Sequence, residues 1–303
     1  QGKGRELYNN SWDKIPAIIK SLIRFITALW MLRDIKRFDY VITNRDIVPE
    51  IKVKFLEKLI IRSGVKLIFD FDDAIHLGPR EKKLSAFLPE CYYITPGNSY
   101  LAEYAKKLNN KVKVIPTVVN TEEYIPALTR KPGKLRIGWS GSSSTNIYCL
   151  PILKSILEKL SQKYDFEFIV ISNEDPAIIW NGVQYKFIRW HPSTEVSNLQ
   201  LFDIGLMPLN DSPFERGKCG LKAIQYMALG IPALVSPVGV NKEIVTHGED
   251  GFHCYNEDEW IKHIEILINN KELLNEMGAK ARQKIVSFYS INYAMNIWQS
   301  ILV

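Results

Sequence analysis

The sequence predicts an α/β protein built from two doubly wound domains in series, and three observations carry that expectation. Short apolar runs of strand length alternate with helical patterns almost throughout, which is the arrangement of a parallel sheet covered on both faces. At 303 residues the chain is longer than one hydrophobic core usually organises, so two domains fit it better. Its composition, 46% hydrophobic and 24% charged, is that of a folded globular protein.

Taken in order, residues 15–38 (IPAIIKSLIRFITALWMLRDIKRF) form a helical stretch interrupted by Lys20 and Arg24. The interruptions leave no run of about 18 apolar residues, so it is a poor spanning segment. It is read as a helix buried against a sheet. The alternative is a basic amphipathic helix on anionic lipid, with Phe25 and Trp30 at the interface. FDYVITN (38–44) is a short buried strand, 50–63 a helix closed by Gly64, and VKLIFDF (65–71) a strand ending in acid. After the turn TPGNS, residues 99–108 are helical and KVKVIPTVV (111–119) is another strand. TRKPGK (129–134), rich in Pro, Gly and cations, marks a linker and sets domains of 1–128 and 129–303. No strand precedes Phe38, where a doubly wound domain normally supplies two or three, so the first domain is expected to be incomplete.

The second half restarts the pattern. LRIGWSG (135–141) is a strand running into a Gly and Ser turn, followed by a helix over 150–163. FEFIVIS (166–172), VQYKFIRW (183–190), FDIGLMPL (202–209) and PALVSP (232–237) are strands. From Glu257 onward the chain is helical, with apolar positions at Trp260, Ile264, Leu267, Leu273, Leu274, Met277 and Ile285.

The formal net charge of +6 favours anionic ligands or an anionic membrane surface. Zinc-finger spacing and RNA-recognition motifs are missing, so no nucleic acid partner is expected. Cys91, Cys149, Cys219 and Cys254 stand singly, without a C-x-x-C pair or ligand spacing to His. They read as reduced thiols of a cytoplasmic protein that holds no metal. The sequence opens QGKGRELYNN, with neither an initiator Met nor a signal peptide.

One segment stands out: RGKCGLKAIQYMALGIPALVSPVGVNKEIV (216–245). It reads as a loop of Gly and Lys, a helix, a buried strand, a Gly turn and a second helix start. Cations and backbone N–H groups meet where the first helix begins, which is chemistry for a phosphate. Arg216, Lys218 and Lys222 fall within seven residues. Lys218 and Lys222, four apart, face one site if both are helical. The alternative is a solvated basic loop.

With GWSGSSST (138–145), FDIGLMPL, GEDGF (248–252) and MGAKARQKIVSFYS (277–290), this segment resembles the retaining glycosyltransferases of the family-four type, glycosyl transferases group 1. VITNRD, IFDFDDAI, GNSYLAEYA and VIPTVVNTEEY extend the resemblance more weakly into the first half. It implies the GT-B fold of two Rossmann-like domains, with the last helix returning to the first. It also implies transfer of a sugar from a UDP- or GDP-sugar donor to a glycan, lipid-linked or small-molecule acceptor, with retention and without a metal. The donor is held mainly by the second domain.

Several residues take roles by that resemblance, beside simpler readings of their own. Gly138 and Gly141 let the backbone approach a ligand, and Ser142 to Thr145 offer hydroxyls ahead of a helix; ordinary capping explains the same residues. The family turn usually carries an Arg and a Lys, both missing here, so the diphosphate charge falls to Lys218 and Lys222, beside Gly220. The family also has two Glu separated by seven residues. Here the second position is Gln225, whose amide hydrogen-bonds ribose hydroxyls, and the first is Gly217; a two-residue slip makes Glu215 the first acid.

In RWHPSTEV (189–196), Trp190 or His191 stacks on the base, or Trp190 simply packs at a strand end. Asp70, Asp72 and Asp73 crowd one strand terminus, where paired carboxylates position an acceptor hydroxyl, take its proton or bind a metal, or one of them caps a helix after Ala74; by the resemblance Asp72 or Asp73 is the residue near the donor sugar. Two other classes stay open. One is a remnant that binds nucleotide-sugar without transfer. The other is a haloacid dehalogenase-like phosphatase with Asp70 as nucleophile and Asp72 as acid.

Overall fold

The structure, a computed structural model, describes residues 16–45, 47–48, 54–128 and 133–302. The chain forms two compact units, Gln1–Ile115 with Gln299–Val303, and Pro116–Trp298. The linker read at 129–134 lies mostly outside the described residues.

The first unit begins with α1 (Ala17–Leu32), followed by β1 (Tyr40–Asn44), α2 (Phe55–Arg62), β2 (Lys66–Phe71), α3 (Glu81–Ser85), β3 (Tyr93–Pro96) and α4 (Ser99–Lys106). Its described strands form one parallel sheet in the order β1-β2-β3, with Asn44 opposite Asp70 and Asp70 opposite Thr95. Phe69 and Phe71 of β2 and Phe87 fill its core, the ring of Phe69 meeting that of Phe87 edge-on at 5.2 Å. Helix α4 starts at Asn98, whose side chain accepts from the Leu101 N–H at 2.9 Å and so satisfies one of the donors a helix start leaves over.

Three expectations for this half are corrected. Helix α1 is not buried against a sheet: Ile18 is 83% exposed, Trp30 and Met31 64%, and Leu22 and Ile26 also face outward. The partly buried positions include Lys20, Ser21, Arg24 and Ala28, so the face turned inward is the mixed one. KVKVIPTVV is not one strand. Lys113 and Ile115 donate to the carbonyls of Ile94 and Pro96, both at 3.0 Å, with a single bridge at Val112, and then Pro116 interrupts the run. Beyond it Val119 donates to the Tyr289 carbonyl at 3.0 Å. Finally, no helix follows Ala74, since the next one starts at Glu81.

The second unit comprises β4 (Leu135–Ser140), α5 (Ser143–Ser161), β5 (Phe166–Ser172), β6 (Gln184–Arg189), α6 (Glu195–Leu199), β7 (Ile204–Met207), α7 (Pro213–Arg216), α8 (Leu221–Ala228), β8 (Ala233–Val235), α9 (Asn241–Ile244), β9 (Gly251–His253), α10 (Glu257–Asn269), α11 (Lys271–Phe288) and α12 (Ile291–Gln299). All six strands are parallel, in the order β6-β5-β4-β7-β8-β9. Numbered within the unit this is 3-2-1-4-5-6, the Rossmann order, whose switch point lies between β4 and β7. Both faces are covered, as continuous apolar strands require. Ile169 and Ile171 of β5 join α8 on one side, and Phe168 and Val170 join α5 and α10 on the other.

Two glycines make room on the α8 face. Gly138 of β4 lies opposite Gly205 of β7. A Cβ on the first would run into the Phe202 ring, and one on the second into the Tyr226 ring. The two rings meet edge-on at 5.8 Å, and the Tyr226 hydroxyl accepts from the Ser140 N–H at 2.8 Å. Gly138 is therefore a packing residue, contrary to the expectation that it admits a ligand.

Residues 116–128 belong to this unit because Arg282 of α11 holds them. Its guanidinium donates to the carbonyls of Tyr124 (2.6 Å), Thr121 (2.8 Å) and Ala228 (2.8 Å). Helix α5 starts at Ser143, seven residues before the sequence pattern suggests, because its first turn is polar. Strand β9 carries only three residues and went unrecognised in the pattern.

Candidate functional site

A parallel sheet aligns the C-terminal ends of its strands, and in the second unit the residues singled out from the sequence collect there. The end of β4 passes into Gly141 and Ser142, the latter at the N-cap position of α5 without a side-chain capping bond. The Ser143 N–H donates to Asn173 Oδ1 at 2.7 Å, just past β5. Asn146 accepts from Trp139 Nε1 and donates to Ser172 Oγ, both at 2.9 Å. The turn and the start of α5 are thus fixed to the neighbouring strand end. Ser142 Oγ lies 2.8 Å from Ser144 Oγ and 3.3 Å from Thr145 Oγ1, a small exposed hydroxyl cluster.

Lys222 approaches this turn from the other side of the switch point, through the Trp139 ring that also lies against Gly141. Lys222 Nζ stands 5.2 Å from the ring centroid of Trp139, and Lys218 Nζ stands 4.4 Å from that of Phe214. Burial pushes the Cys149 thiol of α5 up to about 11, and the charges of Lys222, Glu215 and Lys218 all act on it. Lys218 and Lys222 do not share a helical face, as their spacing suggested. Gly220 sits at φ +70°, in the left-handed region, so α8 starts only at Leu221 and Lys218 precedes it. A side chain at 220 would also strike Ile244.

Arg216 contributes differently from the expectation of a shared basic cluster. Its guanidinium forms a two-point pair with Asp211, at 2.6 and 3.0 Å, which offsets its charge. Glu215 accepts from Ser212, the cap of α7.

Trp190 and His191 follow β6. The Trp190 N–H donates to the Ser172 carbonyl at 2.7 Å, and His191 Nδ1 lies 2.8 Å from Ser193 Oγ. The Trp190 ring is partly buried while its Nε1 donates to Glu195 Oε1 at 2.8 Å. Tyr124 donates its hydroxyl proton to Glu195 Oε2 at 2.6 Å, and Gln225 Nε2 donates to the Tyr124 oxygen at 2.8 Å. Gln225 itself is 7% exposed. Tyr124 and Glu195 were not picked out from the sequence. The available signals were the Tyr closing VIPTVVNTEEY and the Glu within RWHPSTEV, five residues after Trp190.

The first unit gathers a separate polar group at the ends of β1 and β2. Asp70 is held between Asn44 Nδ2 and Thr95 Oγ1, each at 2.8 Å, and burial pushes its carboxyl above the ordinary range. Arg45 bridges Asp72 (2.7 Å) and Asp73 (2.6 Å) from a left-handed backbone at φ +61°. A non-glycine residue there is strained, and strain of this kind gathers at functional sites. Arg45 lies within VITNRD, but its pairing with Asp72 and Asp73, 27 and 28 residues further on, is not visible in that segment.

The arrangement is that of an α/β protein whose candidate site residues gather at a Rossmann switch point, and comparison with known proteins gives it a class. Residues 182–284 match the family described as glycosyl transferases group 1. An uncharacterised glycosyltransferase of Haemophilus influenzae is 39% identical over 87 residues, which are 27% of this chain and 24% of that protein. The chain thus aligns with about a quarter of that relative's length.

Among solved structures, a glycosyltransferase from Rickettsia africae superimposes with a TM-score of 0.69 at 15% identity, over 97% of this chain and 83% of that one. Sucrose-phosphate synthase from Thermosynechococcus elongatus gives 0.68 at 13% identity, over 91% and 77%. Anabaena HepE in complex with UDP and glucose gives 0.67 at 12% identity, over 91% and 79%. The chain has the fold of the GT-B glycosyltransferases, with two Rossmann-like units.

Proposed function

We propose that the protein is a glycosyltransferase that moves a sugar from a nucleoside-diphosphate sugar to a hydroxyl acceptor. The observation that carries this reading is the approach of Lys222 to the Gly141–Ser142 turn at the switch point, with Lys218 four residues before it in the stretch that matches the family. As the bond from the anomeric carbon to the diphosphate breaks, its electron pair passes to the phosphate oxygen. Fixed cations beside a helix start stabilise that charge without reorganising. They take the place a divalent metal would otherwise fill, so transfer proceeds without one.

In this reading the second unit holds the donor: Trp190 and His191 on the base side, Gln225 toward the ribose, and Gly141, Ser142, Lys218, Gly220 and Lys222 around the diphosphate. The relative crystallised with UDP and glucose supports UDP as the nucleotide. The first unit serves the acceptor, with Asp72 and Asp73 placing its hydroxyl and taking its proton. Configuration at the anomeric carbon is retained. The outward apolar face of α1, with Ile18, Leu22, Ile26 and Trp30 and the exposed Arg33 beside its end, supports contact with an anionic membrane, where a lipid-linked acceptor lies. Pelleting with anionic but not zwitterionic vesicles tests this, and equal recovery from both removes it.

Incubation with a panel of UDP- and GDP-sugars and an acceptor extract is the decisive experiment. Sugar transfer with release of nucleotide supports the enzyme, and the anomeric configuration of the product tests retention. Tight nucleotide binding with no turnover instead identifies a binding remnant.

A further inference from the structure

The second Glu of the family motif is Gln225 here, and the hydrogen bonds around it give that change a chemical reason. Glu195 accepts at both carboxylate oxygens, from Trp190 Nε1 at 2.8 Å and from Tyr124 at 2.6 Å. An indole N–H only donates, and a phenol has a single proton, which is committed to Glu195. The phenol oxygen therefore accepts from residue 225. An amide supplies that proton and a carboxylate does not. Gln225 meets the requirement at 2.8 Å.

We propose that Glu195, acting through Tyr124, is the positioning residue of the donor pocket. The proposal rests on the reading that the second unit binds a nucleoside diphosphate. The directional chain Gln225–Tyr124–Glu195–Trp190 fixes the amide with Nε2 inward, leaving Oε1 as the atom offered to ribose hydroxyls. The same carboxylate orients the Trp190 indole on the base side. The acid of the motif is thus not lost: its charge stands at position 195, one phenol away from position 225. Both Gln225 and Tyr124 are 7% exposed, so a wrongly matched pair is not rescued by water.

Chain reversal tests this. Gln225→Glu sets an acceptor against the Tyr124 oxygen, and Glu195→Gln reverses the chain so that the Gln225 amide turns over and offers Nε2 instead of Oε1 to the ribose. Each single change should weaken UDP binding about tenfold or more. Together they restore a satisfied chain running the other way: Gln at 195 accepts from Trp190 and donates to Tyr124, which then donates to Glu at 225.

The full chain and the three variants are titrated calorimetrically with UDP, and their unfolding midpoints are measured alongside. The expected result is a double variant within about threefold of the unmodified protein. A double variant as weak as the two single losses combined, in a protein whose unmodified form binds UDP, would overturn the proposal alone. An unmodified protein that binds neither UDP nor GDP would overturn the donor-site reading and this proposal with it.

Discussion

Lys222 Nζ lies 5.2 Å from the ring centroid of Trp139, a side chain with no exposed surface. The contact joins the first turn of α8 to the last residues of β4 and holds a cation beside the Gly141–Ser142 turn. Charge-assisted hydrogen bonds contribute about 1.5–3 kcal/mol. Lys222→Ala and Lys218→Ala should therefore each weaken nucleoside diphosphate binding by roughly 10- to 100-fold. Arg216→Ala serves as the control, because Asp211 already pairs that charge, and its affinity should change little. Calorimetric titration with UDP and GDP decides: affinity lost at Arg216 but kept at Lys222 would relocate the site.

Tyr226 predicts a second effect, on the scaffold. Its buried hydroxyl is the partner of the Ser140 N–H, one residue before the Gly141–Ser142 turn. Tyr226→Phe keeps the ring packed against Phe202 but strands that donor, at a cost of about 1–3 kcal/mol. Gly205→Ala forces the same ring away and should cost a similar amount through overpacking. Urea unfolding of both variants measures the losses. A stability equal to the unmodified protein in Tyr226→Phe would mean that another group takes the Ser140 proton.

These residues also show which parts of the molecule are legible in sequence. β4, β5 and β7 carry unbroken buried runs at 137–139, 168–171 and 204–207 because both faces of their sheet are covered, so they stand out in the pattern. Gly138 and Gly205 stand out as well, although their task is to admit two aromatic rings rather than a ligand. The start of α5 is hidden, since Ser143 and Ser144 are helical only through Asn173 and the turn before them. Position 225 is visible as a departure from a motif, whereas its explanation is not. Tyr124 and Glu195 lie 71 residues apart, and Tyr124 and Gln225 lie 101 apart. Pairings at such separations are made by topology, as is the bridge from Arg45 to Asp72 and Asp73.

Three histidines meet near the end of the second unit and predict its response to acid. His263 is buried with its ring stacked on Phe252 at 4.4 Å, and its Nδ1 lies 3.5 Å from Cys254 Sγ. His253 is partly buried, with Nε2 2.9 Å from the Val245 carbonyl, and His247 stands between them, 5.2 Å from His263 and 5.6 Å from His253 by ring centroids. Burial first, and then the neighbouring His247, hold His263 below the ordinary imidazole value of 6.5. His253 is lowered as well, again mainly by burial.

With the folded values depressed, the unfolded chain binds protons first as pH falls. The stabilisation is full above about 6.5 and is lost progressively below it. Thermal unfolding should accordingly give a midpoint that is level between pH 8 and 7 and declines from pH 6.5 downward. His263→Gln should flatten that decline while lowering stability at pH 8, because the stacking on Phe252 is lost. A decline of unchanged steepness in the variant would assign the acid response to other groups.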